Sequence, residues 1–427
     1  MAEWEDEPRD LAALTVCLVG SVVDTGDPWE PWRLLDPAGV PVEPVSVFLR
    51  DLLAVGRPAT TQRSYALALL RWFRFLWAVE IGWDRATRAE ARDFCCWMLV
   101  ADKPVGVHWR YRGAASSREG SVSPAGVSGV PNPITGKPGP GRSYASRTRV
   151  HSETVLRGFY DFHQDAASGP MVNPFPLVRG RRYGRAHAHH NPIEPYRDER
   201  GGLYRPAVAA RLPRRIPDAG FDDLFAGLSC HRDRALVAFY VSTGARASEL
   251  LGASWGDADV GQQLITVMRK GTRALQPLPA SPDAFVWLRL YQAQIQGLVP
   301  VGRDQPLWWT VRRPFRPLSY HAAHRMFERA NASLGANWTL HDLRHTAAYR
   351  MARDPAMPLT DVQWVLGHAQ LSTTQIYLNP VPEEVIASVL AHHARRGAGP
   401  ASPPAGGASV PVYRPETLNV LFGGADW

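Results

Sequence analysis

Between Pro176 and Arg215 the chain loses every hydrophobic rhythm, and this stretch constrains the fold more than any other feature. Ten arginines, from Arg179 to Arg215, stand there against Glu194, Asp198 and Glu199. A segment so polar and so charged cannot supply a packed layer, so it reads as a basic linker, residues 176–215. The 427 residues on either side must then form two blocks, each burying a core of its own. His187, His189 and His190 within the linker read as solvated loop residues.

The first block, residues 44–175, reads as helical. Residues 42–79 carry helical spacing, with Leu69, Trp72, Phe73 and Leu76 on one stripe and Arg63, Arg71 and Arg74 on another face. Thr60 or Thr61 is the expected cap, and a basic face opposite an apolar one suits a helix lying on DNA or a solvated surface equally. A second helix is expected over 88–100, capped by Thr87, and a third from Ser146. Between them residues 103–143 form a long loop rich in Gly, Pro and Ser, ending in Pro131-Asn132-Pro133-Ile134-Thr135-Gly136-Lys137. Cys95 and Cys96 fall in helix core.

The second block, residues 216–396, is helical with one β signal. Leu264 to Met268 and Ala274 to Leu278 flank Arg269-Lys270-Gly271-Thr272-Arg273, a hairpin with a basic turn. The fold class expected is therefore mainly α with a small antiparallel sheet in the second domain. Residues 397–427 read as a flexible tail in which Val410, Leu418, Val420, Leu421 and Phe422 recover apolar character.

Charge narrows the partners. The net charge is +8, yet residues 1–43 hold ten acids against Arg9 and Arg33, so this acidic segment is −8 and the remainder +16. A basic body favours a polyanion, whereas an acidic start is a poor grip for phosphates. Only Lys103, Lys137 and Lys270 are lysines among 48 basic residues, a bias that arginine's bidentate grip on phosphate and a GC-rich genome explain equally well. No apolar run is long enough to span a bilayer and no C-x-x-C pair is present, so a soluble, cytoplasmic protein without membrane association, disulfide framework or structural zinc is expected.

The chemistry lies in Thr339-Leu340-His341-Asp342-Leu343-Arg344-His345. On a helix His341, Arg344 and His345 share a face. H-x-x-x-H spacing offers a zinc site, but Asp342 stands where the catalytic Glu of that motif belongs. A His-Asp metal doublet lacks its supporting residues upstream, and a phosphate-binding pair is the third reading. Context favours the third: Thr243-Gly244-Ala245-Arg246-Ala247-Ser248-Glu249-Leu250 lies upstream, and Leu366-Gly367-His368 followed by Tyr377 lies downstream.

In that order, with a lysine in a β turn between them, these motifs resemble the catalytic domain of the tyrosine recombinases, the phage integrase family. The resemblance spans roughly residues 44–396 and is tightest over 216–396. It implies a two-domain DNA clamp whose first half is a core-binding domain, with Arg246, Lys270, His341, Arg344, His368 and Tyr377 as the catalytic set. It further implies a Tyr377 nucleophile that forms a 3′-phosphotyrosyl intermediate without metal, ATP or other cofactor. Double-stranded DNA, a homo-oligomer tetrameric on that DNA and accessory factors are the implied partners, in integration, excision or transposition of a mobile element.

The chemistry suits these residue types. Two guanidiniums can grip the non-bridging oxygens, His368 can donate a further bond, and His341 can take the phenolic proton. Lys270 can protonate the departing 5′ oxygen, which arginine cannot do near neutrality. Arg181, Arg182, Arg269 and Arg273 join Arg63, Arg71 and Arg74 as candidate DNA contacts. Glu249 and His345 read as structural, the first orienting Arg246, the second bonding backbone. A type IB topoisomerase or a DNA-binding regulator without catalysis are the alternatives.

Overall fold

The helix at the centre of the first unit is built by its aromatic residues. In the computed structural model, which describes residues 9–103, 130–139, 141–178, 201–208, 213–378 and 382–397, the chain divides into two compact units that part near residue 211. In the first, a hairpin of β1 (Ser21–Asp24) and β2 (Trp32–Leu35) precedes four helices: α1 (Glu43–Ala54), α2 (Ala59–Ala78), α3 (Arg88–Val100) and α4 (Ser146–Asp165). Trp72 of α2 is fully buried and meets Phe94 and Phe175 edge-on at 5.1 and 5.3 Å. Its indole N–H donates to the Tyr160 hydroxyl at 2.9 Å, which itself donates to the Trp83 carbonyl at 3.0 Å. A buried polar chain with no loose end costs little and fixes one packing of the core.

Helix boundaries follow local chemistry. Thr87 caps α3 as the sequence suggests, closing a reciprocal capping box with Glu90. The cap expected at Thr60 or Thr61 is instead inside α2, which starts at Ala59 directly after Pro58. Proline presets an extended residue ahead of the helix, so no side-chain cap is required there.

The acidic segment set apart by charge packs as part of this unit. Leu34 is completely buried in the helical core, and Leu14, Val16, Val22 and Trp32 lie against it. Arg9 bridges Glu90 and Asp93 of α3 at 2.8 Å each. Past α4, Phe175 is buried and Leu177 pairs with Gly202 in a short bridge, while Tyr204 packs on the same core. Part of the basic linker thus belongs to the first unit's fold.

The second unit opens with α5 (Asp218–Ala226) and α6 (His231–Thr243). Leu236, Val237, Phe239 and Tyr240 of α6 are all buried, because this helix is covered on every side. The short α7 (Ala247–Leu251) leads to a three-stranded antiparallel sheet, β3 (Ala258–Asp259), β4 (Leu264–Met268) and β5 (Leu275–Pro279). Ile265 pairs with Leu278 and Val267 with Gln276; Ile265, Val267 and Leu278 face the core. Pro277 and Pro279 are tolerated because β5 is an edge strand.

After the sheet come α8 (Pro282–Ile295), α9 (Tyr320–Ser333), α10 (Leu340–Ala352), α11 (Leu359–Leu366), α12 (Ser372–Gln375) and α13 (Pro382–Gly397). Helix α6 packs chiefly on α8 and α10. Val385, Ile386, Val389 and Leu390 of α13 are exposed. The apolar residues noted between 410 and 422 lie outside the described residues, as do Arg181, Arg182 and the linker histidines. Among the described residues no helix is long and apolar enough to cross a membrane.

Candidate active site

Three helix ends and one hairpin turn converge in the second unit. Helix α6 stops at Gly244 and α11 at Gly367, both in the left-handed conformation at φ 61°. Glycine adopts this without steric cost and turns the chain sharply. A Cβ on Gly244 would stand 2.9 Å from the Leu366 side chain, and one on Gly367 3.1 Å from the Arg269 guanidinium, so close approach also demands glycine.

Arg344 of α10 ties these two ends together. It donates to the Gly244 carbonyl at 2.6 Å, to the Leu366 carbonyl at 2.7 Å and to His368 Nε2 at 3.0 Å. Three of its five N–H groups are thereby engaged. The side chain is buried, and burial followed by the nearby Arg246 charge brings its pKa down to about 10, which leaves it a cation at neutral pH.

Arginine has no acceptor, so His368 Nε2 must accept from Arg344 and Nδ1 must carry the hydrogen donated to Thr374 Oγ1 at 2.9 Å. In this arrangement His368 is not poised to donate from Nε2, as the sequence reading had it. Its pKa falls to about 4 through burial and the surrounding arginines, so the ring is neutral. Helix α12 then carries the chain to Tyr377, whose ring stacks parallel to His368 with centroids 6.4 Å apart.

Tyr377 is buried, 4% exposed, and its hydroxyl lies 2.8 Å from His345 Nδ1. His345 therefore does not bond backbone, as expected from sequence, but meets the phenol directly. Four residues apart on α10, His341 and His345 share one face and touch edge to face at 4.3 Å. His341 is the exposed member of the pair. Burial, then His341 and Arg344, push the His345 pKa down to about 4. Burial raises the Tyr377 pKa, against a lowering by Arg344 and Arg246.

Glu249 of α7 organises the opposite wall. Fully buried, its carboxylate accepts from the Arg246 backbone N–H and guanidinium at 2.9 Å each, from Arg269 at 3.0 Å and from the Lys270 backbone N–H at 3.0 Å. Burial raises its pKa, but the donors from Arg246 and Lys270 outweigh this and the net shift is downward. Its role toward Arg246 was expected; its hold on the hairpin turn was not. Lys270 and Arg273 are exposed in that turn, where Gly271 and Arg273 take positive φ.

Arg269 is different. It is 5% exposed, and its guanidinium meets Glu249, Gln276 and the Val365 carbonyl, so it supports the turn from within. In the first unit the arginines of α2 are also engaged inside the fold. Arg74 donates to the carbonyls of Leu18, Val19 and Gly20, Arg63 lies over the Trp32 ring, and Arg71 reaches Ser152 and the Tyr144 ring. The segment leading into β1, Trp32 of β2, and Tyr144 and Ser152 beside and within α4 thus engage the arginines that an isolated α2 would have left open.

The site residues thus fall into one cluster: Arg246, Arg344, His341, His345, His368 and Tyr377, with Lys270 on the adjoining turn. Among the described residues no three His, Cys, Asp or Glu side chains gather as a metal-binding group.

Residues 226–384 match the phage integrase family. Over this segment the chain is similar to the catalytic domains of tyrosine recombinases. It is 28% identical over 198 residues to the tyrosine recombinase XerD of Pseudomonas aeruginosa, covering 45% of this chain and 65% of that protein. It is 33% identical over 183 residues to tyrosine recombinase XerC of Xylella fastidiosa, covering 41% and 59%. The chain thus spans about two thirds or less of these relatives' length. Among solved structures, XerH recombinase bound to a palindromic difH substrate aligns with a TM-score of 0.50 at 15% identity, covering 81% of this chain and 88% of that one. A lambda integrase dimer bound to a core site gives 0.50 at 15%, covering 79% and 76%, and both likenesses bear on the fold.

Proposed function

We propose that the chain is a site-specific DNA recombinase that cuts and rejoins strands through a 3′-phosphotyrosyl intermediate on Tyr377. The observation that carries this is the convergence of Arg344, Arg246, His368 and a buried Tyr377 hydroxyl in one cluster. A nucleophilic phenol beside two guanidiniums suits attack on a phosphodiester, whose developing charge the cations stabilise. The tyrosyl ester is close in energy to the bond it replaces, so the exchange runs without ATP. Lys270 protonates the 5′ leaving oxygen, held near it by the Glu249 grip on its own backbone N–H. The +16 body accounts for DNA as substrate. The two units act as a clamp on the duplex and the working assembly is a tetramer, in the service of a mobile element.

The test uses nicked duplexes selected by binding from a random-sequence pool. Wild-type protein should form a covalent adduct that peptide mapping assigns to Tyr377, and Tyr377→Phe should form none. An undiminished adduct in Tyr377→Phe refutes the reading.

A further inference from the structure

We propose that His345 is the base that takes the proton of the Tyr377 hydroxyl when the phenol attacks, a catalytic role that rests on Tyr377 being the nucleophile.

Geometry comes first. His345 Nδ1 stands 2.8 Å from the phenolic oxygen, within the reach a general base requires. His341, the other candidate, has its ring against His345 at 4.3 Å, and the side-chain hydrogen bond to the phenol comes from His345. His368 has its accepting nitrogen occupied by Arg344 and its hydrogen committed to Thr374. Of the three imidazoles in the cluster, His345 is the one whose nitrogen faces the reacting oxygen.

The direction of that hydrogen bond follows from acid strength. A phenol is the better donor and a neutral imidazole the better acceptor, so the O–H points at Nδ1 and the ring hydrogen sits on Nε2. The surroundings keep the ring neutral: burial, His341 and Arg344 all disfavour a charge on it. A base that is unprotonated throughout the neutral range is available in every molecule.

The step balances simply. The Tyr377 oxygen forms its bond to phosphorus, its proton passes to His345 Nδ1, and the P–O bond to the 5′ oxygen breaks as Lys270 protonates that oxygen. The resulting imidazolium lies in a cationic field that the bound phosphodiester partly neutralises. On religation the departing phenolate recovers the proton from the same nitrogen. Because the cluster disfavours the charged ring, the proton rests on His345 only briefly, and its return to the phenolate on religation is favourable.

Single-turnover cleavage of the selected nicked duplexes tests this, with DNA affinity and thermal melting followed in parallel. Asparagine places an oxygen near the position of Nδ1 and can hold the phenol but cannot take its proton. His345→Asn and His345→Ala should therefore both lose about a hundredfold or more in cleavage rate. Added imidazole should restore part of the rate to His345→Ala. With a fluorinated tyrosine at 377, whose phenol ionises more readily, the gap between wild type and His345→Asn should narrow.

A His345→Asn rate within about threefold of wild type would assign His345 to positioning alone and overturn the proposal. So would a gap that fluorination leaves unchanged, or imidazole rescue of His341→Ala in place of His345→Ala. Should His345→Ala fail to fold, His345→Asn and the fluorination series decide. Absence of any adduct at Tyr377 in the wild type would instead refute the recombinase reading itself.

Discussion

Replacing Glu249 with glutamine removes one charge from the interior of the second unit and changes the side chain's shape hardly at all. The carboxylate is 3% exposed and accepts four hydrogen bonds, two of them from guanidiniums. Its partner Arg269 is itself 5% exposed, so Glu249→Gln leaves a buried cation without its counter-charge. Breaking a buried pair on one side costs about 3–5 kcal/mol. At about 2–4 °C per kcal/mol for a domain of this size, the second unit should melt roughly 6–20 °C lower. The pH profile adds a second signature. The folded pKa of Glu249 lies below its unfolded value, so its contribution is fully present above about pH 4.3 and is lost as pH falls through the lower folded value. Glu249→Gln lacks this component, and its stability should fall less steeply with acid than the wild type's. Melting curves from pH 3.5 to 7 measure both. A variant within 1 kcal/mol of wild type, or one with an unchanged acid profile, would refute the account.

Leu34→Ala should destabilise the first unit by about 2–5 kcal/mol in chemical denaturation, because Leu34 is wholly buried in the helical core, and deletion of residues 1–43 should do at least as much. Gly244→Ala should cost about 1 kcal/mol or more from its left-handed backbone alone, with cleavage reduced further, since the Gly244 carbonyl anchors Arg344. Lys270→Ala should fail on normal DNA yet cleave a 5′-bridging phosphorothiolate nearly as fast as wild type; equal defects on both substrates would remove Lys270 from the acid's role.

The order of motifs along the chain, through the family they resemble, pointed to most of the candidate site. Arg246, Lys270, His341, Arg344, His368 and Tyr377 were singled out by the resemblance their motifs carry, and in the structure Arg246, His341, Arg344, His368 and Tyr377 lie in one cluster with Lys270 on the adjoining turn. His345 was misjudged because its nearest sequence neighbours are core residues of α10, while its partner is 32 positions away. Only its i+4 relation to His341 hinted at the shared face. The reach of Glu249 to Lys270, 21 residues on, is equally invisible until the hairpin is folded beside α7. In the first unit the arginines of α2 do lie on that helix, but their fate depended on α4 and on the N-terminal segment that carries the strands β1 and β2. Those strands come from a segment whose charge, rather than its apolar residues, dominated the reading.

Arg344 carries a dual allegiance that bears on how loss-of-function variants are interpreted. With three of its N–H groups spent on two helix-end carbonyls and an imidazole, it holds the chain turns as well as standing in the cluster around Tyr377. A lysine there keeps the charge, but one ammonium on a single stem cannot replace a planar fork that reaches three acceptors in different directions. Inactivity after such a change therefore records collapsed scaffolding together with missing chemistry, and a screen that scores recombination alone merges the two. Tyr377→Phe retains the ring stacked on His368 and gives up only the hydroxyl, which makes it the cleaner blank for capturing an uncut complex.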